Sequence, residues 1–271
     1  KMKKIIKYLA IAAAIFIMMN IIFAIFAGIS VLGIIFGINE LNKVKLSYQS
    51  SNNSELEITE GIVLDVDLES SSLEIKKGEE LSVESDNKFV SCTQDNNKIV
   101  VKEESNWFNK DKNGKVIIYV PEDTKFAKID IETDAGSILA EKISAERLSL
   151  EVDSGKAEIQ EINVLTKTDI EVGSGQIDVF AGEAHNLDLD INVGKITMTT
   201  KLIGNNEIDQ ESGELNLNLT DEINNYTIIP QMSFGKIKVN GTDINSDNRY
   251  GEGENTIRIE AGAGNTYINT K

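Results

Sequence analysis

The chain has very little cysteine and histidine. Its 271 residues include one cysteine, Cys92, and one histidine, His185. A single cysteine excludes an intrachain disulfide, and the sequence has no Cys and His cluster to hold zinc. Cys92 lies in "FVSCTQ", which predicts a strand with a buried structural thiol, and His185 lies in "GEAHNL", typical of a surface bend rather than of a triad base. We predict no catalytic residue and no cofactor.

Positive charge is also scarce beyond the N-terminus. Residues 1–45 carry six Lys and one Glu, so residues 46–271 hold a net charge of −22 within a chain of net charge −17. So acidic a segment repels nucleic acid and anionic lipid surfaces. The expected partners are therefore a cell-envelope component, a membrane protein or divalent cations, and not nucleic acid.

The N-terminal segment has the length and composition of a membrane anchor. Residues 5–38 have no charged side chain after Lys7, and about 20 apolar residues suffice to cross a bilayer. Four lysines lie within the first seven residues, and the positive-inside rule places such a cluster in the cytoplasm. We predict a cytoplasmic Lys cluster and single transmembrane helix over 1–45, and an extracytoplasmic domain over 46–271. A cleaved signal peptide is the alternative, although its apolar core would be only about 7 to 15 residues long.

A glycine recurs through the second domain at nearly constant spacing. The first five copies read "DAGSI", "DSGKA", "GSGQI", "NVGKI" and "ESGEL", and their glycines are 19, 20, 19 and 19 residues apart. The predicted corner glycines are Gly136, Gly155, Gly175, Gly194, Gly213, Gly235 and Gly264. A sharp corner needs positive φ or room for close backbone approach, and glycine permits both. A phosphate-binding loop is not indicated, because no GxxxxGK follows a strand.

Apolar residues alternate with polar ones on both sides of each glycine. Five residues before it stand Ile131, Leu150, Ile170, Leu189, Ile208 and Ile259. Two residues after it stand Ile138, Ala157, Ile177, Ile196, Leu215 and Ile237, and four after it Ala140, Ile159, Val179, Met198, Leu217, Val239 and Ile268. Each repeat is therefore two short strands joined by a corner, and stacking such repeats buries continuous aliphatic columns.

This pattern predicts an all-β fold, a parallel β-solenoid of about 20 residues per coil and nine or ten coils, preceded by the transmembrane helix. Leucine-rich repeats share this period, but their L-x-x-L-x-L pattern and any helical periodicity are missing. A β-sandwich would not need a glycine in fixed register. An earlier copy, "VDLESSSLEI" (66–75), places Ser72 at the corner, and two loops interrupt the pattern at 106–115 and 242–255. Trp107 and Phe108 in the first loop could cap the stack or form a binding tip.

Acidic residues recur at an outward position, four residues before each glycine. They are Glu132, Glu151, Glu171, Asp190, Asp209 and Glu260. Stacked at about 4.8 Å, like charges repel, and a divalent cation could relieve the repulsion, which makes the first five candidate metal ligands. The favoured interpretation is a solvated face that resists aggregation, since no D-x-[DN]-x-[DN]-G calcium loop is present.

The segment "VIIYVPEDTKFAKIDIETDAGSI" (116–138), the glycine repeats and the "GAGNTYI" ending resemble the putative-adhesin family of bacterial β-strand-repeat proteins. The resemblance covers residues 56–271 and implies a stacked β-repeat domain displayed at the bacterial envelope. Some relatives are linked to envelope-stress systems. It carries no catalytic residues over to this chain.

Three functions follow as hypotheses. The first is non-catalytic binding, adhesion or scaffolding outside the membrane, and the second is an envelope-stress accessory that acts through partner membrane proteins. The third is a carbohydrate-active β-helix enzyme, which would need a cleft that perturbs paired carboxylates. The chain has few long loops to wall such a cleft, so we expect no enzyme.

Overall fold

The computed structural model describes residues 42–45, 61–104, 114–246 and 248–271. The predicted transmembrane helix over 5–38 and the aromatic pair in the first loop lie outside these residues. Within the described part, no helix has the length and apolar character needed to cross a membrane. The only helix among these residues is a 3₁₀ turn at Ile223–Asn225.

The described residues form 23 β-strands. The first half of the chain contributes β1 (Asn42–Lys45), β2 (Ile62–Leu68), β3 (Ser72–Lys77), β4 (Ser82–Ser85), β5 (Val90–Asp95), β6 (Lys98–Glu103), β7 (Lys115–Val120), β8 (Phe126–Thr133), β9 (Ser137–Ala140), β10 (Ile143–Val152) and β11 (Lys156–Ile159). The second half contributes β12 (Ile162–Val172), β13 (Gln176–Val179), β14 (Gly182–His185), β15 (Leu187–Ile191), β16 (Lys195–Ile203), β17 (Asn205–Gln210), β18 (Glu214–Leu219), β19 (Tyr226–Met232), β20 (Lys236–Val239), β21 (Thr242–Ile244), β22 (Asn255–Ala261) and β23 (Asn265–Asn269).

These strands build a solenoid-like stack of nine coils. The coils form two sheets, which we call sheet B and sheet A. Each coil contributes one strand to sheet B, turns a corner and contributes its next strand to sheet A. Sheet B runs β5–β6–β2–β8–β10–β12–β15–β17–β22–β19, and sheet A runs β1–β4–β7–β3–β9–β11–β13–β16–β18–β23–β20–β21. The remaining strand, β14, pairs with the first residues of β12 and the last residues of β16. The coil strands pair in parallel, as predicted, and the antiparallel strands β1, β4, β5 and β21 occur only at the ends.

The coils are out of chain order at both ends of the stack. Coil β6/β7 lies outside coil β2/β3, although it follows it in the sequence. At the other end, coil β22/β23 inserts between coils β17/β18 and β19/β20. The simple expectation that each repeat stacks on the preceding one therefore holds only between β8 and β18. The connections that pass over a coil are short, at 121–125 and 220–225, whereas the long connections at 78–97 and 240–254 join neighbouring coils.

The predicted aliphatic columns form the core. Every residue predicted five positions before a corner is at most 2% exposed, and so is every residue predicted two positions after one. Four positions after the corner, only Val239 in the end coil is half-buried. Burial of one such side chain stabilises the fold by roughly 1.5 to 3 kcal/mol. The register pairs Ile131 with Leu150 and Leu150 with Ile170, which makes each column continuous from coil to coil.

Close backbone approach is the reason for the corner glycines. None of them has positive φ; the glycines that do lie elsewhere in the chain. A Cβ on Gly155 would lie 2.0 Å from the carbonyl oxygen of Gly136, and a Cβ on Gly235 would lie 1.9 Å from that of Gly264. The Gly136 oxygen also accepts the N–H of Lys156 at 3.2 Å. Of the two reasons expected from the sequence, only room for the neighbouring backbone applies.

The corner of the first coil is Ser71, and the prediction of Ser72 is wrong by one residue. Leu73 pairs with Ile138, which places Ser71 beside Gly136. The outermost coil has its own corner at Gly114, whose following residue pairs with Ser72. The inward pattern of the other repeats also fits Ser71, because Val66, Leu73 and Ile75 then stand five before, two after and four after the corner.

Candidate functional site

A groove follows the row of corners along the stack and is the candidate functional site. We call it the corner groove, and its volume is about 800 Å³. Its lining residues are Ser70, Ser72, Gly114, Lys115, Ala135, Gly136, Ser137, Ser154, Gly155, Lys156, Ser174, Gly175, Gln176, Val193, Gly194 and Lys195. They belong to six adjacent coils, from β6/β7 to β15/β16.

The floor of the corner groove is mostly backbone. The corner glycines leave the peptide groups uncovered, and the residue before each corner is small in most coils. Serines at this position donate to the coil before them: Ser154 Oγ bonds the Asp134 oxygen at 2.7 Å, and Ser174 Oγ bonds the Asp153 oxygen at 3.4 Å. These bonds hold the serine side chains flat along the stack. The floor is therefore smooth and polar, and it repeats from one coil to the next.

Three lysines, each one residue after a corner glycine, lie along one side of the groove. Lys115 pairs with Glu74 at 2.6 Å, and Lys195 pairs with Glu214 at 2.9 Å. Lys156 bonds Glu158 at 2.5 Å, and this carboxylate raises the pKa of the lysine. Because such pairs are solvent-exposed, each is worth little energy and can be exchanged for a ligand at small cost.

Glu103 is buried inside the stack next to the Ser71 corner and does not line the groove. This residue is 1% exposed, and its Oε2 accepts three backbone N–H groups, from Glu69 at 3.1 Å, Ser70 at 3.0 Å and Ser71 at 2.9 Å. Asn87 Nδ2 donates to the other oxygen at 2.9 Å. Burial raises the pKa of Glu103, but these hydrogen bonds outweigh burial, and its pKa is lowered overall.

The position of Glu103 follows from a break in the backbone hydrogen bonds that join neighbouring coils. In the next coil, the N–H of Asp134 bonds the Leu68 oxygen, and the N–H of Ala135 bonds the Glu69 oxygen. The outer coil provides no backbone acceptor beyond Glu103 for the corresponding N–H groups of the Ser71 corner. The Glu103 carboxylate accepts these hydrogen bonds instead. Sequence reasoning missed this residue, although a Glu at an inward position of "KIVVKE" was a usable signal.

The predicted acidic ladder is present on the outer face of sheet B. We call it the acidic row: Asp67, Glu132, Glu151, Glu171, Asp190, Asp209 and Glu260, in register on adjacent strands. Burial, and then repulsion from neighbouring carboxylates, raises the pKa of Glu132, Glu151 and Asp190. Among the described residues, no group of three or more His, Cys, Asp and Glu is arranged to hold a metal ion. Metal binding by this row remains a prediction.

The two residues that were candidates for other chemistry lie in different coils. His185 ends β14 and is half-buried, and its carbonyl oxygen accepts the Thr168 hydroxyl at 3.3 Å. Cys92 lies on β5, as predicted for a strand, but it is half-buried rather than buried. Burial raises the pKa of its thiol above the ordinary value.

The fold and the groove define an all-β, solenoid-like repeat protein with an open groove along its corners. The chain belongs to the Toastrack DUF4097 family, whose profile matches residues 55–269. This confirms the resemblance seen in the sequence. No curated protein matches the chain significantly.

Solved structures of similar bacterial proteins cover most of the chain. One is a putative cell adhesion protein from Clostridium sporogenes, 17% identical, covering 86% of this chain and 100% of its own, with a TM-score of 0.36. A putative adhesin from Parabacteroides merdae is 13% identical and covers 86% and 95% of the two chains, with a TM-score of 0.40. A putative lipid binding protein from Parabacteroides distasonis is 12% identical and covers 84% and 96%, with a TM-score of 0.39.

Proposed function

We propose that this chain is a non-catalytic protein of the bacterial cell envelope that binds an extended polar polymer in the corner groove. In this proposal, residues 5–38 anchor the chain in the membrane and the solenoid lies outside it. The observation that carries the proposal is the groove itself: about 800 Å³, open, and continuous across six coils. A linear polymer such as a cell-wall glycan strand fits a groove of this kind.

The repeating floor favours a repeating ligand. Successive coils lie about 4.8 Å apart, so equivalent backbone and serine groups recur along the groove. A polymer with regularly spaced hydroxyl or anionic groups can contact several coils in the same way. The lysines at the side of the groove supply donors, and their exposed ion pairs cost little to break.

The lining of the groove favours binding over catalysis. Among the described residues that line it, none is Asp, Glu, His or Cys. Of the carboxylates with raised pKa, Glu132, Glu151 and Asp190 lie on the outer face of sheet B in an open row, and Asp134 lies in the turn beside Ala135 without lining the groove. General acid and base chemistry needs such groups within reach of a bound substrate.

Co-sedimentation of the full chain with purified bacterial cell-wall sacculi tests this proposal. Ser137→Tyr should reduce retention, because Ser137 is exposed and lines the groove. Gln160→Tyr is the matched control, since Gln160 is exposed but does not line the groove. Equal retention of both variants and the parent chain, or no retention of any of them, would contradict groove binding.

A salt series and a chelator extend the same experiment. Retention that survives high salt indicates a shaped binding surface rather than general charge attraction. Loss of retention with chelator would instead assign the divalent cations predicted at the acidic row a part in binding. If the chelator has no effect, the groove alone accounts for retention.

A further inference from the structure

The two ends of sheet B differ in how their edge strands are protected. At one end, the outer edge of β19 is closed: Ile228 exchanges two backbone hydrogen bonds with Tyr250, and Met232 donates its N–H to Ser246 Oγ at 2.9 Å. Between them, Pro230 has no N–H to offer. This edge cannot accept another strand.

At the opposite end, β6 is the only described strand that pairs with β5, and no described strand pairs with the outer edge of β5. The N–H of Glu104 bonds the Phe89 oxygen at 2.9 Å, and bonding alternates along an antiparallel pair, so the backbone groups of Ser91 and Thr93 face β6. Those of Cys92 and Gln94 therefore point away from the sheet. The described part of the chain provides no hydrogen-bond partner for these two N–H groups. The segment 90–94 contains no Pro, Lys or bulge, the usual devices that protect an edge.

We propose that β5 pairs with β5 of a second copy of this chain, antiparallel and on a two-fold axis that passes beside Cys92. In this register Cys92 lies opposite Cys92 of the second copy, Ser91 opposite Thr93, and Val90 opposite Gln94. Each Cys92 donates its backbone N–H to the backbone oxygen of the other Cys92. Gln94 donates its N–H to the Val90 oxygen, because the Val90 N–H is already bonded to Asn87.

The side chains of β5 fit this pairing. Val90 and Cys92 pack against the end of the core and remain half-buried, whereas Ser91, Thr93 and Gln94 are exposed. A two-fold axis perpendicular to the sheet keeps the inward faces of both copies on the same side. The half-buried residues of one copy therefore meet those of the other, and the two cores become continuous. The hydroxyl side chains of Ser91 and Thr93 pair on the outer face.

The distribution of charge on sheet B favours self-association at the β5 end. The middle of the sheet carries the acidic row, which would repel a second copy. Next to β5, however, Lys98 pairs with Asp65 at 2.8 Å, and Lys102 pairs with Asp67. In the proposed register no two like charges lie opposite each other between 90 and 94. The contact is one strand wide, so we expect a reversible dimer rather than a permanent one.

The single cysteine makes this proposal directly testable in the full chain, solubilised in detergent. A short bismaleimide should link two chains through Cys92, because Cα atoms in a hydrogen-bonded antiparallel pair are about 5.5 Å apart. Any covalent dimer must pass through this residue. Sedimentation equilibrium of the untreated chain should show the same dimer at high concentration. A chain that stays monomeric and uncross-linked at its highest soluble concentration would overturn the proposal.

Charge-swap variants identify the surface. Ser91→Glu with Thr93→Glu places like charges opposite each other and should abolish cross-linking, and Ser91→Lys with Thr93→Lys should do the same. Mixing the two variants should restore cross-linking, with a yield of linked dimer at least ten times that of either variant alone. Because both side chains are exposed, the melting temperature should not change. Gln94→Pro, which removes one outward N–H, is the second test. Cross-linking that persists in all three variants would place the contact elsewhere and contradict the proposal.

Discussion

The interior coils and the end coils of this solenoid are stabilised in different ways. Between β8 and β18 each coil repeats its neighbour: a glycine corner, inward aliphatic residues and parallel pairing in chain order. At the ends the coils are out of order, antiparallel strands appear, and buried polar groups such as Glu103 complete the hydrogen bonding. Repetition thus satisfies the backbone only where a coil has a neighbour on each side. An end needs specific interactions that occur once.

The largest expected effect is in an interior column. Ile170→Asp buries an unpaired carboxylate at a position that is 2% exposed, and should cost more than about 4 kcal/mol, enough to unfold the domain. Glu171→Lys, one residue later on the outward face, should be tolerated or slightly stabilising because it interrupts the acidic row. Urea unfolding followed by circular dichroism measures both, and equal tolerance would contradict the inward and outward assignment.

A corner substitution separates crowding from backbone conformation. Gly155→Ala places a Cβ 2.0 Å from the Gly136 oxygen and should cost about 3 kcal/mol, because the neighbouring coil must move. Gly241→Ala is the matched control, since Gly241 has φ +77° but no neighbouring atom within 4 Å, and should cost about 1 to 2 kcal/mol. Thermal unfolding of the two variants gives the order, and a reversed order would mean that the neighbouring coil accommodates the Cβ at little cost, so that close approach does not explain the corner glycines.

The end coils should depend on Glu103. Glu103→Ala leaves three backbone N–H groups without their acceptor and should cost about 2 to 3 kcal/mol. Because the pKa of Glu103 is lowered in the folded chain, its stabilisation is present above its ordinary value of 4.5 and is lost as pH falls through the lowered value. The difference in unfolding free energy between parent chain and variant should therefore shrink below pH 4.5. A difference that stays constant with pH would exclude a role for its charge.

The acidic row should show the opposite pH dependence with a smaller effect. The pKa of Glu151 is raised in the folded chain, so its charge destabilises the fold above the raised value, and the destabilisation is relieved as pH falls through it. Glu151→Gln should stabilise the domain by about 0.5 kcal/mol at pH 7, and high salt should reduce this gain. Glu146→Gln, exposed and outside the row, is the control and should change little. A Glu151→Gln variant that is less stable than the parent would indicate that the row is held by favourable contacts.

The sequence predicted the interior coils because their pattern is periodic. Glycine spacing and inward aliphatic residues were sufficient to place the columns, and Ile131, Leu150 and Ile170 stack as expected. The ends were not predictable, because a parallel strand pairs equally well with any coil that offers the same inward pattern. The corner groove was also missed. Each corner glycine looked like a turn in isolation, and a groove arises only when several corners without side chains are stacked.

The order of the coils at the groove end is the central claim, because the groove ends at Gly114 only if coil β6/β7 lies outside coil β2/β3. In a Cys92→Ser background, Ser72→Cys with Ser137→Cys should form a disulfide rapidly, since the next residues along the two strands, Leu73 and Ile138, are register partners. Lys115→Cys with Ser137→Cys should not, because coil β2/β3 separates them. Coils stacked in chain order would give the reverse result, a fast disulfide between positions 115 and 137 and none between 72 and 137, and would contradict this architecture.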